Sequence, residues 1–104
     1  MAQGLNVVTV IGRVDGDIRV LDMINYTVAH FSIAVENYKG EDMIFSCVAF
    51  GKICKYLNNY CAPGDTLVLS GSLTRQADER GNPETAINVR DASRLNRRDD
   101  YYGE

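Results

Sequence analysis

The residues best suited to chemistry are an aromatic ring and a cation two positions apart, Phe50 and Lys52. They close the stretch Asp42-Met43-Ile44-Phe45-Ser46-Cys47-Val48-Ala49-Phe50-Gly51-Lys52, which reads as a strand stopped by a glycine and followed by a helix. Side chains alternate along a strand. Phe45, Cys47 and Ala49 therefore share one face, expected as core, and Ile44, Ser46, Val48 and Phe50 share the other. A ring on a sheet face beside a positive charge suits an unpaired base: the base stacks on the π-face and the phosphate meets the cation. The competing role for Phe50 is to cover the end of the helix. Arg13, Lys39, Lys52, Arg75 and Arg80 all fall at expected strand ends or hairpin tips, and Tyr38 sits beside Lys39 at one tip. With Phe50 they are the candidate nucleic-acid-binding residues; for each cation the competing account is an ordinary solvated loop charge.

Catalysis has little to stand on. The chain has one histidine, His30, in the middle of an expected strand, and no serine or cysteine in a nucleophile context. Phosphate loops of the G-x-x-x-x-G-K type are absent, and Val10-Ile11-Gly12-Arg13-Val14-Asp15-Gly16 lacks the spacing of a dinucleotide fingerprint. Three cysteines without a C-x-x-C pair argue against a disulfide framework and a zinc site, and fit a reducing, cytoplasmic setting. No enzyme activity, metal or other cofactor is expected. No apolar run approaches the roughly 18–20 residues of a membrane span, and the first residues lack the pattern of a signal peptide. The net charge of −3 is unevenly placed. Of 14 acids, Asp99, Asp100 and Glu104 lie in the last six residues, leaving 11 acids against 11 bases in residues 1–98. A neutral body can still carry a basic groove.

The elements that must position these residues are mostly strands. Leu5 to Val14 is a β-branched run, with Gly12 marking a bulge or bend. Ile18 to Leu21 is a short offshoot of it. Tyr26 to Glu36 alternates as a half-buried strand, and residues 37–41 form a hairpin connection. Residues 51–61 are the one helix candidate, with Ile53, Cys54, Leu57 and Cys61 on one stripe and Pro63-Gly64 as the stop. Cys54 and Cys61 are thus expected in the core. Asp65 to Thr74 alternates again, Arg75 to Pro83 is expected as a hairpin tip, and Thr85 to Leu95 is a last strand weakened by Asp91 and Arg94. Short strands with a single helix between the third and fourth predict an all-β, five-stranded OB-fold barrel over residues 1–95. Residues 96–104 are expected to be a short flexible acidic tail.

Four segments carry a resemblance. They are residues 6–13 (Asn6 to Arg13), residues 28–35 (Val28 to Val35), Cys47-Val48-Ala49-Phe50-Gly51-Lys52, and residues 64–75 (Gly64 to Arg75). In order and spacing, over roughly residues 4–95, the chain resembles the bacterial single-stranded-DNA-binding proteins. The resemblance implies an OB-fold that coats single-stranded DNA in replication, recombination and repair, without catalysis or cofactor, generally as a homotetramer. It also implies a short, divergent member, of the kind a phage or mobile element encodes. The family stacks bases on tryptophans, and this chain has none. Ile44 stands where the family usually carries one, Asp78 near another, and Tyr38 one place from a third; Phe50 matches the family's phenylalanine. Val7 replaces a common lysine. The family's long linker and its acidic tip ending in Pro-Phe are replaced by residues 99–104, in which Tyr101 and Tyr102 are the expected contacts for replication or repair proteins. Two other classes stay open: an OB-fold protein-interaction module of primosome type, and an RNA-preferring OB protein. The Leu5–Val14 strand, apolar on both faces, predicts pairing with another chain, and the resemblance implies that this pairing builds a homodimer or homotetramer.

Overall fold

Alternating burial organises the strands around one interior. The computed structural model describes residues 4–95. The elements are β1 (Val8–Val14), β2 (Arg19–Asp22), β3 (Thr27–Glu36), β4 (Asp42–Phe50), α1 (Ile53–Tyr60), β5 (Thr66–Ala77) and β6 (Pro83–Arg94). They form one sheet in the order β1-β5-β6-β4-β3-β2, with a further pairing of β1 to β3. All pairings are antiparallel except β4 with β6. The inward residues of β3, Ala29, Phe31 and Ile33, meet Leu67 and Leu69 of β5, Ile87 and Val89 of β6, and Cys54 and Leu57 of α1 in the core. Among the described residues no helix is long and apolar enough to cross a membrane.

The helix is held by its apolar stripe rather than by capping. Lys52 occupies the N-cap position and makes no side-chain cap bond, while Cys54 and Leu57 are buried. Gly51, at φ +83°, makes the corner that turns the chain from β4 into α1, and its N–H donates to the Thr27 carbonyl. Cys47, Cys54 and Cys61 are all buried and unbridged, so the expectation for Cys54 and Cys61 stands.

Several local expectations are corrected. The register of β1 with β5 runs unbroken from Val8 to Arg13, so Gly12 is no bulge in that ladder. It lies where β3 passes close: a Cβ there would stand 2.5 Å from the Ala34 carbonyl oxygen. The irregularity is at Ser70/Gly71, where β6 carries the extra residue Arg90. Gly71 is required there, because a Cβ would stand 1.9 Å from the Asn88 carbonyl oxygen. β5 continues to Ala77, so Arg75 lies within a strand rather than at a tip; cross-strand pairs, including Arg75 with Thr85, extend the ladder past Thr74. β6 runs through Asp91 to Arg94, whose backbone N–H donates to the Tyr56 hydroxyl. The expected tail, with Tyr101 and Tyr102, lies outside the described residues.

Candidate nucleic-acid interface

The register of β3 with β4 sets Val28 opposite Phe50, His30 opposite Val48 and Ser32 opposite Ser46. These side chains share the outward face. Phe50, the last residue of β4, is half-exposed at its end. Tyr26 lies two residues before Val28 and so reaches Phe50 diagonally across the ladder. Their ring centroids are 6.0 Å apart, tilted by 57°. Both rings remain about half accessible, at 50% and 51%, which leaves π-surface for a ligand.

Beneath the rings, Val28 and Val48 are buried although they point away from the core cluster. The expectation that Val48 shares the face of Phe50 holds, and on that face Val48 is covered. Val48 is the floor of a groove whose walls include Tyr26, Phe50, His30, Arg75 and Asn88. The groove is an apolar floor with two rings and one guanidinium around it. A neighbouring hollow shares Tyr26 and is lined by Asp22, Lys52, Lys55, Asn58 and Asn59. Tyr26 thus joins an aromatic groove to a surface carrying two lysines. Flat rings over an apolar floor, with cations to either side, can stack bases and meet phosphates.

The seven expected site residues do not all come together. Phe50 and Arg75 line the same groove, and Lys52 lines the adjoining hollow. Tyr38 and Lys39 occupy the β3–β4 hairpin tip, at the opposite end of β4 from Phe50. There the Lys39 Nζ lies 5.7 Å from the centre of the exposed Tyr38 ring. Arg13 donates to Asp42 at 2.8 Å, so its charge is matched by a carboxylate. Arg80 sits in the β5–β6 turn, where its backbone N–H donates to Asp78 Oδ1. Ile44, on the outward face, is more than half exposed near the hairpin end.

Tyr26, Lys55 and His30 belong to the same surface and are not among the expected site residues. The signal for Tyr26 lies in the pairing rather than in the local sequence: once Val28 opposes Phe50, an aromatic two residues earlier must approach that ring. Lys55 follows Lys52 by three positions in a helix, which sets the two on one side.

A third hollow adjoins the aromatic groove through His30 and Gln76, and its character is opposite. Asp15 and Asp17 from the β1–β2 turn and Asp78, Glu79 and Glu84 from the β5–β6 hairpin line it. Cys47 also lines it, and burial pushes that thiol up to about 12. It is therefore a protonated, unreactive group at neutral pH. Among the described residues no group of histidine, cysteine and carboxylate side chains could hold a metal ion.

Residues 5–95 match the model described as "Single-strand binding protein family". No curated protein matches the chain.

Proposed function

The chain belongs to the single-strand binding protein family, and on that premise we propose that it binds and protects single-stranded DNA, without catalysis or cofactor, in replication, recombination and repair in the cytoplasm. The observation that carries this reading is the Tyr26–Phe50 platform with Arg75 on one side and Lys52 and Lys55 on the other. Stacking on rings tolerates any base, since every base has a π-face, and the flanking cations supply the phosphate contacts. The family implies an OB-fold, and the hydrogen-bonded path from β1 through β5, β6, β4 and β3 back to β1 supports a five-stranded barrel. On that reading β2 is an offshoot and α1 lies between the third and fourth barrel strands.

Self-association into a dimer or homotetramer is part of the proposal. β1 pairs with β3 only at Arg13 and Val14, so the edge of Val8 to Ile11 away from β5 has no strand paired with it among the described residues. Val7 and Ile11 are exposed nearby. An open edge of this kind pairs readily with another chain. Light scattering tests it, and a sharp monomer at micromolar concentration refutes it. Tyr101 and Tyr102 are the proposed contacts for replication or repair proteins.

A protein-interaction module of primosome type is the second reading, favoured by the absence of tryptophan and by the carboxylate-lined hollow. One titration separates the readings. Poly-dT, duplex DNA and RNA of equal length are compared at two salt concentrations. Tight, salt-sensitive binding to poly-dT above the other two supports single-stranded DNA; preference for RNA moves the ligand to RNA; no binding leaves the interaction module.

A further inference from the structure

We propose that the carboxylates of the β1–β2 turn and the β5–β6 hairpin form a wall that ends the nucleic-acid track on the sheet. A single strand would pass Lys52 and Lys55, stack at Tyr26 and Phe50, and leave the surface at His30 instead of continuing over Ser32 and Ser46. This rests on the single-stranded-DNA reading and adds to it where the strand must stop.

The sheet itself offers no barrier. The outward rows of β3 and β4 continue past His30 and Val48 to Ser32 and Ser46, small polar residues over which a strand could lie. What changes is the charge on either side. Asp15, Asp17, Asp78, Glu79 and Glu84 surround this end, with Arg19 the one lysine or arginine among the residues that line it. Two of the acids are anchored by hydrogen bonds. Asp78 Oδ1 accepts the backbone N–H groups of Arg80 and Asn82, and Glu84 accepts from the Gln76 amide. The backbone of Asp15 is also fixed, its N–H donating to the Ser32 carbonyl at 2.9 Å. The side chains of Asp15, Asp17 and Glu79 make no hydrogen bond or ion pair with the described residues, and Arg19 is the single guanidinium set against them in the hollow.

The distance to the wall follows from strand geometry. Phe50 and Ser46 are four residues apart on β4, or ~13 Å along the strand. A stacked strand rises ~3.4 Å per nucleotide, so the wall is reached within about four nucleotides of Phe50. A phosphate about 8 Å from one carboxylate weakens binding about twofold at low salt, and three carboxylates together about tenfold. At physiological salt the Debye length is ~8 Å, which reduces that to about two- to threefold.

The test is the variant Asp15→Asn/Asp17→Asn/Glu79→Gln, which keeps side-chain shape at three exposed positions. Its affinity is measured against an oligo-dT ladder from about 4 to about 16 nucleotides, the range of site sizes for one OB-fold. A control neutralises three acids elsewhere, Glu36→Gln/Glu41→Gln/Asp91→Asn. The natural chain should stop gaining affinity early in the ladder. The wall variant should continue to gain, reaching about tenfold tighter binding on the longer oligomers at low salt and about two- to threefold at physiological salt. The control should tighten all lengths alike. Equal length dependence in the natural chain and the wall variant overturns the proposal, as does the same length-selective gain in the control. Phe50→Ala separates the two levels: if it weakens every oligomer while the wall variant changes nothing, the binding reading stands and the wall falls. If the natural chain binds no oligo-dT, both fall.

Discussion

Replacing Phe50 by alanine separates a stacking platform from a core residue. The ring is 51% exposed and stands outside the core cluster. Its removal therefore forfeits only about half of what a fully buried phenylalanine contributes, roughly 1–1.5 kcal/mol. Losing the tilted contact with Tyr26 adds about 0.5–1 kcal/mol. A domain with an ordinary stability of about 5–15 kcal/mol stays folded, with Tm lowered by roughly 4–8 °C per kcal/mol. Binding should suffer more in proportion. One stacked base is worth about 1–3 kcal/mol, so Kd for oligo-dT should rise about 5- to 150-fold. Anisotropy of labelled oligo-dT gives Kd, and a thermal melt by circular dichroism gives Tm. Phe50→Tyr should keep most of the affinity, because the ring is kept. The reasoning fails if Phe50→Ala unfolds the protein at room temperature, or if the folded variant binds oligo-dT as tightly as the natural chain.

Three further outcomes follow from the same geometry. Lys52→Ala and Arg75→Ala should each flatten the plot of log K against log salt by about 0.7 if one phosphate contact is lost; an unchanged slope places that residue outside the track. Gly71→Ala should destabilise by about 3 kcal/mol, since the new Cβ would meet Asn88 backbone at 1.9 Å, while Gly4→Ala, with open space around it, should shift a urea midpoint by almost nothing. Burial raises the Cys47 thiol from 9.0 to about 12, so above about pH 9 the unfolded chain releases this proton and the folded chain does not. The stability it contributes is complete below pH 9 and is lost as pH rises towards 12. Urea midpoints at pH 8 and pH 10.5 should differ more for the natural chain than for Cys47→Ala.

The strands were legible because alternation is a local property. Val28 to Val35 and Leu67 to Gly71 announce their inward faces within a few residues, and the helix shows its stripe in Cys54 and Leu57. The site was less legible because it is made by register. Nothing near Tyr26 marks it as half of an aromatic pair; only the alignment of Val28 with Phe50 does. Arg13 reads as a free cation until Asp42, 29 positions away, is found beside it. Arg75 reads as a hairpin tip because the turn residues begin soon after it, yet the ladder with β6 extends the strand beyond it. The carboxylate-lined hollow draws on two turns far apart in sequence, and neither looks unusual alone.

The way β1 is held also governs when the chain can fold. Its ladder partner is residues 66–71, so β1 leaves the ribosome more than fifty residues ahead of the strand it pairs with. At about 5–20 residues per second, synthesis of the intervening segment takes roughly 3–10 s. During that time Val8, Val10 and Ile11 have no ladder to join, although β3 and β4 can already pair as a local hairpin. Once the chain is free, pairing between such distant segments places folding in the millisecond-to-second range typical of non-local β-topologies. A nascent chain arrested before residue 66 would therefore present β1 as a bare apolar strand, and that is the stage at which binding by a chaperone should be strongest.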